Sequence, residues 1–545
     1  MKRFLTYFAV MVASATVLVG CFGGDNYTSA VPEDAFSVLR FDANQVLEKS
    51  GSKQEALDAF RAELQKENMP DFMLAIADDL RNTGVDIEAP MYAFAQVVDH
   101  NTIFVACVAK TYSTSLLEKV IDRISEGSVK PKKVENGMLV QDKYEPSVAL
   151  GYNDDAVIFG CVAPIEGYNE YNAKPFVEKA LKAAQKGDGN DDILPAYEDR
   201  DAALCIHAAP FVDILKQAMQ SNYSADLARA VAELESARES RFDFAFNFAK
   251  GSIDLEMLAT NWPKKVAYEP ETSSHQNLKY VSANALAVAN LPFDGEQFIR
   301  AFEKFLADNP QVKQELDKEL SRSTDGAMNT TMLMTIAGPF VSSVKGDVTV
   351  ALNDLKQETV WDPYYNYYDG GYRNKILPNA CVVVPVKNNK IMDMASAYLA
   401  FAPEVNRVSQ NLYTTDIEKG MPAFFGQKDG VIFGSTPNNF EVADTPATEA
   451  SWYDEVDNSY AYAVVNIDAL LKNAVVSTEL NKEIYNEFGA MGYHVMQTLD
   501  LFNYFVVTTP TLESSNIRLV LKNDNENSLK QITDKIKVAV LQQVY

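Results

Sequence analysis

The sequence predicts an α+β fold in two tandem related domains, each a mainly antiparallel sheet with helices packed on one face. Three observations lead to this prediction. Strand-like runs are joined by turns as short as Asp99–His100 and Asp154–Asp155, which favours antiparallel hairpins. Helical runs interrupt the strands without the one-to-one alternation of a doubly wound parallel sheet. Finally, the same order of elements occurs twice along the chain.

Each copy of the repeated order begins with a short strand that leads into a helix. Asp42 stands at the entry of the first such helix and Asp294 at the entry of the second, where a carboxylate can cap the free N–H groups of the first turn. The clearest similarity lies further on, because segments 155–160 and 429–434 both read Asp-x-Val-Ile-Phe-Gly. Repeats of this size predict duplicated domains and not a solenoid, whose periods are about 20–50 residues.

The repeat and the composition of the segments between its parts predict the domain boundaries. The boundary between the copies falls in a stretch rich in Pro, Ser and polar residues without a clear period, as is typical of a linker. The second copy also carries an insertion where the first has a two-residue turn, and such loop sites often acquire function. The predicted segments are a signal peptide (1–20), a tether (21–31), a first domain (32–262), a linker (263–278), a second domain (279–545) and the insertion (356–378).

The N-terminus has the pattern of a bacterial secretory signal. Lys2 and Arg3 precede an apolar run over 4–19, and Gly20-Cys21 follows it. The run is shorter than the ~20 residues that a membrane-spanning helix needs. The segment 18–21 resembles a lipobox, in which the cysteine thiol receives diacylglycerol and becomes the new N-terminus. We therefore expect Cys21 to be lipidated and to anchor the protein in a membrane.

The residue after Cys21 indicates to which membrane the lipoprotein is sorted. Phe22 stands where an aspartate would favour retention in the inner membrane in the lipoprotein pattern. We therefore expect an outer-membrane lipoprotein of the cell envelope. Attachment facing the periplasm is favoured, and display on the cell surface remains an open alternative.

The charge of the chain excludes one class of partner. The formal net charge is −26, and removal of Lys2 and Arg3 with the signal takes it to −28 (−26 − 2). A body this acidic repels phosphate backbones, so no nucleic acid is expected as a partner. The remaining partners are the membrane, through the N-terminal lipid, and an envelope protein or glycan. No cofactor is expected.

Four cysteines remain after Cys21, and all of them lie in strand-like apolar runs: Cys107, Cys161, Cys205 and Cys381. This setting favours buried free thiols, which behave as small apolar residues. An oxidising periplasm permits disulfides, and the three pairings of four cysteines stay open.

The insertion of the second copy contains an aromatic cluster that is the candidate partner-contact loop. Trp, Tyr and Arg are enriched at binding hot spots, and a Tyr ring packs while its hydroxyl forms hydrogen bonds. The alternative is that the loop folds back and buries its rings on its own domain. The candidate contact residues are Trp361, Tyr364, Tyr365, Tyr367, Tyr368, Tyr372 and Arg373.

The sequence offers little evidence for a metal site or a catalytic centre. Asp188, Asn190 and Asp192 have the first spacings of a calcium loop, but Ile193 stands where an EF-hand needs Gly. A solvated turn is the better interpretation. The chain also lacks the HExxH, GxSxG and phosphate-loop patterns. Its histidines are far apart: His100 in a turn, His207 on a strand, His275 in the linker and His494 on a helix.

Together with the lipobox-like segment and the repeated units, the opening Pro32-Glu33-Asp34-Ala35 resembles a family of Bacteroidetes lipoproteins that share a domain of unknown function. The resemblance implies no catalytic residues, and it leaves three functional hypotheses. The first is a non-enzymatic envelope lipoprotein with a binding or structural role. The second is a secreted hydrolase acting on glycans or peptides with a pair of carboxylates. The third is a glycan-binding module that uses the Tyr-rich loop.

Overall fold

A computed structural model describes residues 26–543 apart from several short gaps. The gaps are 52–53, 56–57, 59–60, 63–64, 66–73, 75, 77–78, 87, 100–101, 143–144, 165–171, 188–192, 222–234, 263–272, 363–370, 419–420 and 437–439. Cys21 and the predicted signal therefore lie outside the described residues, as do Asp188, Asn190, Asp192 and His100. The chain forms two compact units, the first made of 1–263 with 523–538 and the second of 264–522 with 539–545.

The strands of the first unit form an antiparallel sheet in the order β5-β6-β7-β8-β4-β3-β1-β9-β10-β11, and β2 pairs with the end of β4. Their bounds are β1 Ala35–Phe41, β2 Val85–Asp86, β3 Met91–Asp99, β4 Thr102–Thr111, β5 Lys132–Val134, β6 Gly137–Asp142, β7 Glu145–Tyr152, β8 Ala156–Pro164, β9 Ala202–His207, β10 Arg241–Ala249 and β11 Ser252–Thr260. The predicted hairpins at 99–100 and 154–155 are confirmed as β3–β4 and β7–β8.

The strands of the second unit also form an antiparallel sheet, in the order β15-β16-β17-β18-β14-β13-β12-β19-β20-β21. Their bounds are β12 Ala287–Asp294, β13 Lys345–Asp362, β14 Gly371–Pro385, β15 Val405–Ser409, β16 Leu412–Glu418, β17 Met421–Lys428, β18 Val431–Thr436, β19 Ala461–Val465, β20 Phe502–Thr511 and β21 Ser514–Leu521. In both units the strand that comes first in the sequence lies inside the sheet.

Helices complete the α+β class that the sequence predicts. They are α1 Ala43–Ser50, α2 Thr114–Ile124, α3 Lys174–Lys186, α4 Ala208–Ser221, α5 Gly295–Asp308, α6 Pro310–Ser323, α7 Thr330–Val341, α8 Lys390–Leu399, α9 Tyr453–Val456, α10 Ile467–Lys472, α11 Ala474–Phe488, α12 Gly492–Leu499 and α13 Ser528–Gln543. Among the described residues, none of these helices is both long and apolar enough to cross a bilayer.

Both predicted aspartate caps are confirmed. The Asp42 carboxylate accepts the N–H of Gln45 at 3.0 Å and begins α1. The Asp294 carboxylate accepts the N–H groups of Glu296 and Gln297, each at 3.0 Å, and begins α5. Both helices therefore start at the end of a central strand, because the cap satisfies N–H groups that would otherwise lack an acceptor.

The prediction that helices cover one face of each sheet is incomplete for the first unit. On one face of β7 and β8, Ala149 and Ile158 belong to the same buried cluster as Val177 and Leu181 of α3. On the other face, Leu150 and Val157 pack in a second cluster with α2. Successive side chains of a strand point to opposite faces. This end of the sheet is therefore covered by helices on both faces.

Two glycines permit α3 to approach the sheet. A Cβ added to Gly151 would lie 2.4 Å from Val177 Cγ1 of α3. One added to Gly160 would lie 2.9 Å from Val177 Cγ2, and 2.5 Å from Cε2 of Phe104 in β4. Gly434 occupies the same position in the second Asp-x-Val-Ile-Phe-Gly segment. No described atom comes within 4 Å of a Cβ added there. The matching glycines thus have different neighbours in the two units.

We therefore predict opposite effects of one substitution at the two glycines. Gly160→Ala should destabilise the first unit by about 1–3 kcal/mol, because the methyl group overpacks the core. Gly434→Ala should be neutral or stabilise the second unit by up to about 1 kcal/mol, since it restricts the unfolded chain without a clash. Thermal unfolding of each variant against the parent measures the difference. Equal losses at the two positions would contradict this account of the packing.

Candidate functional site

The described parts of the predicted insertion, 356–362 and 371–378, form a two-stranded ribbon. Strand β12 pairs with β13 as far as Leu352, and β18 pairs with β14 as far as Ala380. Beyond these residues β13 and β14 continue to pair with each other, from Asp354↔Asn379 to Asp362↔Gly371. At about 3.4 Å per residue the extension is roughly 27 Å long. We call this extension, residues 354–362 and 371–379, the ribbon.

The side chain of Asn473, the N-cap of α11, braces the base of the ribbon. Its Nδ2 donates to Asp354 Oδ1 at 2.8 Å and to the carbonyl oxygen of Leu355 at 2.9 Å. Its Oδ1 accepts the N–H groups of Val475 and Val476, each at 3.1 Å. One amide therefore ties the first turn of a helix to the start of the ribbon. A two-stranded ribbon alone is only marginally stable in water, so this support matters.

Two aromatic rings stand exposed near the outer end of the ribbon. Trp361 and Tyr372 are cross-strand partners, and their ring centroids lie 5.1 Å apart with the planes at 73°. Trp361 is 55% exposed and Tyr372 is 69% exposed. The alternative that these two rings are buried against their own domain is wrong. Cross-strand aromatic pairs stabilise hairpins by roughly 0.2–1 kcal/mol, so the pair both orders the ribbon and faces solvent.

The exposed face continues from the rings toward the base of the ribbon. Because side chains alternate between faces, Thr359 and Asn374 lie on the same face as Trp361. Thr359 Oγ1 donates to Asn374 Oδ1 at 3.0 Å. Ile376 follows on this face and is 49% exposed. The face thus combines two rings, a paired hydroxyl and amide, and an aliphatic side chain, a composition suited to contact with another macromolecule.

The other members of the predicted contact loop are not placed. Tyr364, Tyr365, Tyr367 and Tyr368 lie outside the described residues, and so does the side chain of Arg373. The backbone of Arg373 pairs with Val360 within the ribbon.

The first unit contains a pocket with an apolar floor and a polar rim. Its volume is about 370 Å³, and Phe94, Phe104 and Phe176 form the floor. Glu33 and Asp34 of the opening segment lie at the rim. Asp34 accepts the buried Gln96 amide at 2.6 Å. This carboxylate is therefore already engaged in joining the opening segment to β3.

A buried polar cluster holds the start of the second unit and includes His275, a residue of the predicted linker. This residue is only 7% exposed. Asp347 Oδ2 accepts the N–H groups of Ser274 at 2.8 Å and His275 at 2.9 Å, and the hydroxyl of Ser273 at 3.1 Å. The carboxylate thus fixes the chain entry, because buried N–H groups need an acceptor.

The side chain of His275 lies among aromatic and acidic groups. Its ring is 5.5 Å from that of Tyr462 and 5.7 Å from that of Tyr453. Burial lowers the pKa of His275 below 6.5, and the carboxylates of Asp347 and Asp457 oppose the effect only in part. Burial likewise raises the pKa of Tyr462. Neutral His275 and neutral Tyr462 fit a structural role, since burial disfavours their charged forms.

The other two described histidines lie beside a thiol and beside a tyrosine ring. His207 Nε2 lies 3.4 Å from Cys205 Sγ, and burial raises the pKa of that thiol to about 12, which disfavours a thiolate. His494 lies on α12 with its ring 5.6 Å from that of Tyr493. All four cysteines of the body are free thiols. Over the described ranges, no group of three or more His, Cys, Asp or Glu side chains could hold a metal ion.

The lowered pKa of His275 predicts acid sensitivity of the second unit. Below pH ~6.5 the unfolded chain binds a proton at residue 275 more readily than the folded unit, so the stability contributed by the neutral residue is lost as the pH falls. His275→Asn, which tolerates the φ of +55° at this position, should reduce the loss between pH 7 and pH 5.

The fluorescence of Trp452 measures this prediction. Trp452 is fully buried in the second unit, and Trp262→Phe with Trp361→Phe makes it the only tryptophan. Denaturant midpoints of this background and its His275→Asn derivative should converge as the pH is lowered. An identical pH dependence of the two proteins would show that His275 does not contribute.

A family model for a domain of unknown function (DUF4836) matches residues 27–529. No curated protein and no solved structure matches the chain. The match spans both compact units, from the 3₁₀ turn at Asn26–Ala30 to the start of α13. The chain belongs to the DUF4836 family.

Proposed function

We propose that the protein is a lipid-anchored, non-enzymatic protein of the cell envelope that binds another envelope component through the ribbon. The observation that carries the proposal is the exposed pair of Trp361 and Tyr372 on a ribbon that extends past the rest of its sheet. Large rings on a braced support lose little conformational entropy on binding, which makes them effective contact residues.

The angle between the rings favours a protein partner over a glycan. A sugar ring stacks on an open aromatic face, whereas here the edge of one ring approaches the face of the other at 73°. The Thr359 hydroxyl, which lies next to the rings, already donates to Asn374 Oδ1. The proposed contact is therefore the edge-to-face pair with Ile376 beside it, covered by a partner with an apolar patch.

The hydrolase hypothesis receives less support. It requires two convergent carboxylates in a cleft. In the first-unit pocket the acidic residues are the neighbours Glu33 and Asp34, and Gln96 holds Asp34. The carboxyl groups of Asp213 and Asp317 have lowered pKa values because of hydrogen bonds to Arg238 and Thr330. A general acid needs the opposite shift.

We also propose that the two units arose by duplication. The strands follow the same order in both sheets, and β12 occupies the position of β1. The helix after each of these strands begins with an aspartate cap. In this account the ribbon is an addition to the second copy, which left its sheet unchanged.

The membrane anchor is tested at Cys21. Metabolic labelling with an alkyne analogue of palmitate should label the full chain, and Cys21→Ser should abolish the label, because the thiol is the proposed acceptor. Cys107→Ser is the matched control, since this residue lies within β4 and should leave the label unchanged. A parent chain without label, or label that persists in Cys21→Ser, would refute the anchor.

The contact surface is tested by removing the two rings. Trp361→Ser with Tyr372→Ser should weaken recovery of the envelope partner at least about thirtyfold, as for a hot spot worth 2 kcal/mol or more. The measurement is cross-linking of the full chain in membranes, followed by quantification of the adducts. The matched control is Trp262→Ser with Tyr398→Ser, which removes rings that are 48% and 75% exposed elsewhere. An equal loss of adducts in both double variants would contradict the assignment.

A further inference from the structure

Helix α5 in the second unit carries an apolar stripe that is only half covered. Phe298, Ala301, Phe302 and Phe305 recur at the spacing that puts side chains on one face of a helix. Such a face is normally buried against the core. Phe298 and Phe305 are nevertheless each 41% exposed. The stripe thus faces a space that the other described residues of its unit do not fill.

This space is a slot between the helix and the ends of three strands. Leu291 and Phe293 of β12, Ala461 of β19 and Thr509 of β20 form the wall opposite the helix. The slot opens where β12 leaves β19, because that pairing ends at Asn290↔Tyr462 while β12 continues to Asp294. Its volume is about 600 Å³, within the roughly 300–1,000 Å³ typical of ligand sites.

The helix is held at its first turn, which keeps the slot open. A Cβ added to Gly295 would lie only 1.6 Å from the carbonyl oxygen of Val341. The helix therefore rests directly on the end of α7. The ring of Phe293 lies 5.4 Å from that of Phe298, and the Phe298 and Phe302 rings are nearly parallel with centroids 6.1 Å apart. The wall is thus preformed, as ligand pockets usually are.

The chemistry of the lining selects an aliphatic ligand. Among the residues that line the slot, only Tyr460 and Thr509 carry a side-chain polar group. A ligand with many hydrogen-bonding groups would lose its water there without gaining partners. An alkyl chain has no such groups, and its burial is favourable in proportion to the apolar area removed from water.

The lining of the slot disfavours an added peptide strand. Such a strand needs backbone partners, and Pro292 in the middle of the β12 wall has no N–H. The lining therefore favours an occupant without backbone amides, which would lose their water there without gaining partners.

We propose that this slot binds the alkyl chain of a free fatty acid. Along α5, the seven helical rises between Phe298 and Phe305 give it a length of about 10.5 Å, enough for part of one chain. A single chain gives only marginal membrane binding, so a one-chain lipid leaves the bilayer readily and can reach a site on a protein surface. A two-chain phospholipid is held in the bilayer more strongly.

The test is photolabelling of the full chain in membranes with a fatty acid that carries a diazirine within its chain and a terminal alkyne. We expect UV-dependent label on peptides that contain Leu291–Phe293 or Phe298–Phe305. Ala301→Trp fills the slot and should lower this label at least about tenfold. Ala307→Trp makes the same change on the exposed opposite side of α5 and should leave it unchanged.

A second variant covers the event that Ala301→Trp misfolds. Leu512→Glu places a charge at the mouth of the slot on an exposed turn, where 54% of the leucine is accessible, and it should also reduce the label. Retained label in Leu512→Glu, or equal loss in Ala301→Trp and Ala307→Trp, would overturn the proposal. Equal labelling of the slot by a diazirine phosphatidylcholine would overturn the assignment to a free fatty acid.

The same experiment separates this proposal from the membrane anchor. Lipidation at Cys21 gives label that does not depend on UV and that lies on the N-terminal peptide. Label in the slot depends on UV and maps to α5 and β12. Either result can therefore fail without the other.

Discussion

The structure of each unit depends on one strand that is hydrogen-bonded along both edges by strands distant in the sequence. In the first unit Val38 of β1 lies between Phe94 and Cys205. In the second, Val288 of β12 lies between Ala351 and Val464. A central strand satisfies its backbone only when both neighbours are present. Bringing these neighbours together costs loop entropy before any of the contacts form. We therefore expect each sheet to fold cooperatively.

Both proposed binding features lie where strands continue beyond their neighbours. Strands β13 and β14 continue beyond the reach of β12 and β18, and this surplus length is the ribbon with Trp361 and Tyr372. Strand β12 continues beyond β19, and the slot under α5 opens at that point. In both cases the paired part of the sheet provides rigidity, and the unmatched part provides accessible apolar surface.

The sequence predicted the local features well because they depend on neighbouring residues. The caps at Asp42 and Asp294 and the turn at 154–155 follow from side chains that reach N–H groups two or three residues away. The sequence predicted an insertion at the ribbon but not its two strands. Its strand residues, such as Lys356 to Thr359, are polar and exposed on both faces, so they lack the alternation that marks a strand with one buried face.

The features that the sequence could not reveal depend on distant partners. His275 was assigned to the linker, but its backbone N–H is bonded to Asp347, 72 residues away, and its ring packs beside Tyr462. The two Asp-x-Val-Ile-Phe-Gly segments look equivalent, yet only Gly160 meets a close neighbour, Phe104. The stripe on α5 reads as an ordinary core face, and the pattern alone does not show that the opposing strands leave a slot beneath it.

The most direct test of the proposed binding role is hydrogen exchange of the full chain in envelope membranes, compared with the chain released from them. The account predicts that peptides covering 354–362 and 371–379 exchange more slowly in the membranes, because a partner covers the exposed rings. It also predicts that the peptides of β12 exchange slowly under both conditions. Unchanged exchange in the ribbon, with new protection elsewhere on the surface, would contradict the central claim.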